Sequence, residues 1–323
     1  MKTLSLAAAL AAFAVAQPAL AQDAQPTEPQ PGGDTVTIGG GVAYLPDYEG
    51  SDDYRFVPAP AALGSIGGFN FLLAGNRLSV DVIPDSGDGD GWDFQLGPVG
   101  VVNFNRTRLK SIDDPRVRAL GKLDRAIELG GYVGVGKTGL ITSDYDRLSV
   151  TLTYRHDVTD THDSSVLTPS ISYMTPLSRK AAAGVFASAD RVGAGYARTY
   201  WGVTPGQSLA SGLAVYTPDS GWKSYSLGGF GTVSLTGDLL HGFKLVAGGT
   251  YSRMLDDIGR SPVVRVAGSR GQWLGAVGLA YTFSAASTFG CRASPRTRCG
   301  ATRGVRHDAR GPTASGSVAR PPT

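Results

Sequence analysis

Cysteine is almost missing from this chain: there are two, Cys291 and Cys299, both close to the C-terminal end. No disulfide can therefore frame the residues before them, although a Cys291–Cys299 bridge is compatible with an oxidising periplasm. Histidine is nearly as scarce, at four residues, which leaves few imidazoles for acid–base work or metal ligation. Past residue 21 no apolar run approaches the roughly 20 residues that a membrane-spanning helix requires. A net positive charge is also missing from most of the chain, although the total is +3. Residues 284–323 hold seven arginines, no lysine and one aspartate, so that tail alone carries +6. Removing the tail and Lys2 leaves about −4 for residues 22–283, a mildly acidic body with no electrostatic footprint for nucleic acid.

What is present starts with an export signal. Lys2 precedes a short apolar run, and Ala19-Leu20-Ala21 offers the small-x-small pattern read by signal peptidase. Residues 1–21 are expected to be a cleaved Sec signal, and without a cysteine after the cleavage site the product is not a lipoprotein. Residues 22–34, rich in Gln, Pro and Gly, are expected to be a disordered periplasmic lead.

The 45 glycines are spread among short alternating segments, which favours an all-β protein. The last of these is the most telling. Trp273, Gly275, Val277, Leu279, Tyr281 and Phe283 share one face of a strand, and Leu274, Ala276, Gly278, Ala280 and Thr282 share the other. Neither face carries a charge, and aromatics bracket the apolar stretch as interfacial girdles bracket a membrane barrel strand. Residues 144–156 alternate as clearly: Leu148, Val150, Leu152 and Tyr154 oppose Ser149, Thr151, Thr153 and Arg155. The predicted fold is a transmembrane antiparallel up-and-down β-barrel over residues 35–283. Reading 69–83 as two strands gives about 12 strands, with 10 as the fallback. An even count places the long connections 105–125, 192–222 and 254–271 on the outer side, as single-chain bacterial barrels do. Pro58 and Pro60 weaken the second strand, because proline donates nothing to a ladder.

Several local patterns suggest chemistry, and each has a plainer explanation. His156, Asp157, Asp160, His162 and Asp163 form the densest set of metal-ligand types, but a solvated hairpin tip uses the same residues to stabilise turns. Residues 85–91 (DSGDGDG) lack both the spacing and the closing glutamate of an EF-hand. Residues 131–138 (GYVGVGKT) satisfy the phosphate-loop pattern by letter, yet no helix start follows them. A hydrolase would have to draw on His156, His162 or His241. Ser164 and Ser165 lie near the first two, and His241 sits in a predicted periplasmic turn. Sequence proximity does not make a triad. No catalytic, cofactor-binding or metal-binding residue is assigned, and the chain is expected not to be an enzyme.

Segments 46–58 (PDYEGSDDYRFVP), 154–163 (YRHDVTDTHD), 200–208 (YWGVTPGQS), 216–222 (YTPDSGW), 251–257 (YSRMLDD) with 261–264 (SPVV), and the final strand follow one another in a known order. Together they resemble the MltA-interacting protein (MipA/OmpV) family of Gram-negative outer-membrane proteins. The resemblance implies a non-enzymatic scaffold for peptidoglycan-remodelling enzymes, a lytic transglycosylase and a murein synthase; the alternative is a narrow porin-like channel for small solutes. It also implies outer-membrane lipid as the surrounding medium and the barrel assembly machinery as a partner for the strand ending at Phe283. Family members end at the position of Phe283, so residues 284–323 are expected to be a disordered Arg-rich tail arising from a frameshift or read-through.

Overall fold

The computed structural model describes residues 34–84 and 91–284. Twelve strands follow in chain order: β1 Thr35–Pro46, β2 Tyr54–Ile66, β3 Phe69–Ala74, β4 Arg77–Asp81, β5 Trp92–Asn103 and β6 Ala126–Thr138. The second half comprises β7 Arg147–Asp157, β8 Ser165–Ser178, β9 Ala181–Val192, β10 Gly221–Ser234, β11 Gly242–Met254 and β12 Gly271–Ser284. Every strand pairs antiparallel with its sequence neighbours, and β1 pairs with β12 from Thr35↔Ser284 to Tyr44↔Gly275. The sheet is a closed twelve-stranded barrel, as the alternation and the parity of the count predicted. The export signal, the lead up to residue 33, residues 85–90 and the tail beyond Ser284 lie outside the described residues.

Period-2 alternation sorts the side chains. Ile38, Val42, Leu96, Val133, Leu152, Val185, Leu227 and Val277 point outward and are exposed, forming a belt of aliphatic side chains. Two aromatic clusters border it. Near the end that carries Thr35 and Ser284, the Tyr281 ring centroid lies 4.8 Å from Phe243 and 4.5 Å from Phe283. At the other end, Tyr44 stacks on Tyr54 at 5.2 Å and Tyr251 meets Trp273 at 5.0 Å. The seam between first and last strand is tight. A Cβ at Gly41 would lie 2.1 Å from the Val277 carbonyl oxygen, so only glycine permits that approach. The Thr37 and Thr282 hydroxyls share a 2.7 Å hydrogen bond across the seam.

The wall is uneven at β3 and β4, which have six and five residues between β2 with 13 and β5 with 12. The Gly67-Gly68 turn, with both φ positive, starts the hairpin, and its tip at Gly75-Asn76 stops beside Pro60 and Val102. Gly75 N–H donates to the Pro60 carbonyl at 2.9 Å. In an antiparallel strand a residue's N–H and C=O face the same neighbour, so Pro60 and Pro58 both face away from β1. Above Pro60 no strand pairs with β2 on that side. The two prolines thus occupy positions where the ladder needs few donors or none, and β2 forms in spite of them.

From the sequence no secondary structure is assigned to the three long connections, and here the structure adds detail. They contain five short helices: α1 Pro115–Ala119, α2 Ala194–Trp201, α3 Pro205–Ser211, α4 Asp256–Arg260 and α5 Pro262–Arg265. Proline at the first turn starts α1, α3 and α5, and Asp114, Thr204 and Ser261 cap them; Thr204 and Gln207 form a reciprocal capping box. Together with residues 47–53 these connections close over the end opposite the termini. Their common core includes Tyr48, Ile112, Val117, Tyr196, Trp201, Ile258 and Val264. Hydrogen bonds stitch the pieces: Trp201 Nε1 donates to the Glu49 carbonyl at 3.0 Å, Ser261 Oγ to the Trp201 carbonyl at 2.7 Å, and Gln207 Nε2 to the Leu120 carbonyl at 2.8 Å.

Val277→Arg, in the middle of the outward belt, should cost about 2–4 kcal/mol of folding stability, against about 0–1 kcal/mol for Val36→Arg near the end of β1. Urea titration of the two variants folded into lipid vesicles measures the difference.

Candidate functional site

Beneath the cap, inward positions near the strand ends bring charged residues from four strands, with polar residues from two more, into one chain of contacts. Arg155 on β7 donates from Nε to Glu128 Oε2 on β6 at 2.6 Å, with both side chains fully buried. Asn103 on β5 bridges from Nδ2 to Glu128 Oε1 at 3.2 Å and to the Tyr196 hydroxyl at 3.1 Å. On the other flank, Arg155 Nη1 reaches Thr168 Oγ1 at 3.4 Å, and that hydroxyl donates to Asp190 Oδ1 at 2.6 Å. Lys223 Nζ lies 2.8 Å from Asp190 Oδ2 and 3.1 Å from Glu49 Oε1. The line thus runs from β5 through β10 and up into the cap at Glu49. Burial pushes the Glu49 carboxyl above its usual range, and Lys223 opposes that shift. A continuous charged line removed from water couples the cap to the barrel wall.

His162 joins this line. It is buried, with Nε2 3.4 Å from Glu128 Oε1 and its ring 4.7 Å from that of Tyr196. A solvated tip is therefore the wrong description for this residue. Asp157 explains why: its carboxylate accepts N–H groups from Thr159 at 2.9 Å, His162 at 2.7 Å and Asp163 at 3.2 Å, folding the tip back over the barrel. Asp160 and Asp163 remain exposed with positive φ, and His156 faces outward with Nε2 3.7 Å from Asp163. The five ligand-type residues thus divide between the buried interior and the outer surface. Among the described residues neither His156 nor His162 hydrogen-bonds to Ser164 or Ser165. His241 lies in the turn before β11, with Nδ1 3.2 Å from Asp238 Oδ1. Residues 131–138 are strand β6 throughout, paired with β5 and β7, so the phosphate-loop match is accidental. Residues 85–90 lie outside the described residues. The structure also gathers Asp47, Asp53 and Asp113, with one oxygen of each within 4.8 Å of the others. Asp113 lies 60 residues beyond Asp53, which kept the trio out of the sequence reading.

At the end that carries the termini, residues 139–146 form a turn organised by one carboxylate. Asp146 accepts N–H groups from Leu140 at 2.7 Å and Ile141 at 2.9 Å, a further one from Thr142, and the Tyr173 hydroxyl at 2.9 Å. Burial alone would raise this carboxyl, but these donors outweigh it and hold it well below its ordinary value of 3.8. The turn presents apolar side chains outward: Leu140, Ile141 and Tyr145 are 50%, 63% and 72% exposed.

Removing one partner of the central pair leaves a buried charge uncompensated. Arg155→Met should destabilise the barrel by about 3–5 kcal/mol, and adding Glu128→Leu should recover most of that loss. Chemical unfolding of the single and double variants, followed by tryptophan fluorescence, checks the recovery.

Comparison with solved structures returns outer-membrane barrels. An outer-membrane channel from Pseudomonas putida F1 aligns with a TM-score of 0.43 and 13% identity, covering 81% of this chain and 100% of that one. The NanC porin aligns with a TM-score of 0.41 and 10% identity, covering 76% and 98%. An anion-selective porin from Comamonas acidovorans gives 0.33 and 9%, covering 77% and 98%. At such identities the likeness concerns the fold alone. No curated protein matches the chain. The family model described as MltA-interacting protein MipA matches residues 38–283, which include every strand and the whole cap except the first residues of β1 and the last of β12. The chain belongs to the MltA-interacting protein MipA family.

Proposed function

We propose that this chain is a non-enzymatic scaffold in the Gram-negative outer membrane, reached through a cleaved Sec signal, that holds a lytic transglycosylase at the periplasmic face. The family description supplies the transglycosylase as partner. A murein synthase is the second enzyme to be recruited, and the barrel assembly machinery inserts the chain through the strand ending at Phe283. The observation that carries the reading is the folded cap. Residues under it, Glu128, Arg155 and Asp190 among them, are sealed from solvent, which favours a scaffold over a narrow porin-like channel. Bacterial barrels keep their termini and short turns in the periplasm, which puts the cap outside the cell.

The 139–146 turn is the contact surface in this reading. Three exposed apolar side chains on a backbone already fixed by Asp146 lose little conformational freedom on docking, which favours affinity. The turn before β11 adjoins the β8–β9 turn, where Leu239 N–H donates to the Arg179 carbonyl at 3.0 Å, and extends the periplasmic face.

Replacing Leu140, Ile141 and Tyr145 together by serine should weaken capture of the purified transglycosylase at least about tenfold, the equivalent of 1.4 kcal/mol. A folded triple variant that retains the enzyme as well as the unaltered chain would contradict the assignment of this turn. The turn also has a pH signature. A depressed carboxyl stabilises the folded state above its unfolded value, and that contribution is lost as the pH falls below 3.8 toward the folded value. Asp146→Asn should therefore lower the melting temperature at pH 7 and narrow the gap to the unaltered chain in acid, as thermal scans at the two pH values would show.

A further inference from the structure

Beneath the cap the lumen is charged on both sides, with Asp190 and Lys223 on β9 and β10 and Glu128 and Arg155 on β6 and β7; below that level its two walls differ, apart from the buried Lys244 at the foot of β11. Positions on β4, β5 and β7 carry Arg77, Asp81, Gln95, Arg147 and Arg155. Opposite them, β9 to β12 and β1 to β3 line a half-open cavity of about 270 Å³ whose lining includes Gly41, Ala61, Leu72, Ala276, Phe230 and Thr232, with no charged side chain. Water is a poor occupant of such a space, because a buried water needs two to four polar partners. The hydroxyls along this wall are largely satisfied by one another: Thr37 bonds Thr282 at 2.7 Å, and Ser226 bonds Ser252 at 2.8 Å. Two buried hydroxyls on these strands have no hydrogen-bond partner, Ser188 Oγ and Thr232 Oγ1, and of the two only Thr232 lines the cavity. It is 3% exposed. An orphaned buried hydroxyl is costly unless something supplies the missing bond.

We propose that this cavity binds a slender apolar molecule carrying one neutral hydrogen-bonding group, with the chain along the Gly/Ala wall and the polar end at Thr232. A space of about 270 Å³ is large enough for a medium-chain alcohol. A charged head group is disfavoured, because no charged side chain lines the cavity to compensate its desolvation. The cavity also reaches Pro60 and Gly75, at the foot of the stretch where β2 has no strand partner beyond the β3–β4 hairpin. It therefore abuts the lowered part of the wall, on the side of the bilayer hydrocarbon from which an apolar molecule would come. This inference is independent of the scaffold reading, since it concerns the lumen and not the periplasmic turns.

The test is equilibrium dialysis of the folded full chain in detergent against radiolabelled 1-octanol and n-octane, with matched empty micelles as the reference. The chain should hold about one octanol in excess of the micelles, as one site would. Ala61→Phe fills the cavity and should abolish the excess, whereas Ala62→Phe, on the outward face of the same strand, should leave it. Thr232→Val keeps the shape and removes the hydroxyl; it should weaken octanol about tenfold, as expected for one buried hydrogen bond, while leaving octane unchanged. Heat-dependent gel mobility reports whether each variant is folded. No excess over micelles for the unaltered chain, or an equal excess for folded Ala61→Phe, overturns the site. Equal octanol binding by Thr232→Val overturns the placement of the polar group.

Discussion

A strand in hydrocarbon must satisfy every backbone N–H and C=O, and the β1–β12 ladder is where this chain meets that demand. Ten residue pairs, from Thr35↔Ser284 to Tyr44↔Gly275, turn an open sheet with two exposed edges into a closed wall. Much else follows from that seam. Gly41 must be small because the strands come together there, and the even number of strands puts the start of β1 and the end of β12 at one end. At the top of β2 the wall is incomplete, and the chain places there two prolines that have few donors to lose.

The second organising feature is the cap and the charged line beneath it. Burying Glu128, Arg155, Asp190, Lys223 and Glu49 away from water is costly, and their mutual contacts offset that cost only in one arrangement. Since Glu49 sits in the cap and the other four on the wall, that arrangement fixes how the cap seats. The apolar core around Trp201 and Tyr196 supplies the driving force for closing, and the ion pairs supply the register. A barrel built this way has one end that is folded protein and another made of short turns, and in the proposed scaffold role it is the turns that would meet a partner.

The barrel was legible because its signal is local. Each strand shows its face by alternation, as Trp273 to Phe283 do, and the aromatic ends mark the two interfaces. Arg155 was also placed on the inward face of its strand. Its partners were not found, because Glu128, Asp190 and Lys223 lie on other strands and meet only when the sheet closes. The cap helices were missed although their start signals stand in the sequence: Asp114-Pro115, Thr204-Pro205 with Gln207, and Ser261-Pro262. At four to eight residues these helices are too short to show a 3.6-residue period. His162 was misplaced because the residues around it suit an exposed turn, and only the backbone donors gathered by Asp157 show that the tip folds inward.

The central claim is that the outer end is sealed by the cap, so that the protein acts through its periplasmic turns and conducts no solute. Single-channel recording of the full chain in a planar lipid bilayer tests it most directly. The account predicts a flat baseline in concentrated salt once insertion is verified by protease protection. Steady ohmic steps whose size changes on Arg155→Ala would show an open path past the charged line and contradict it.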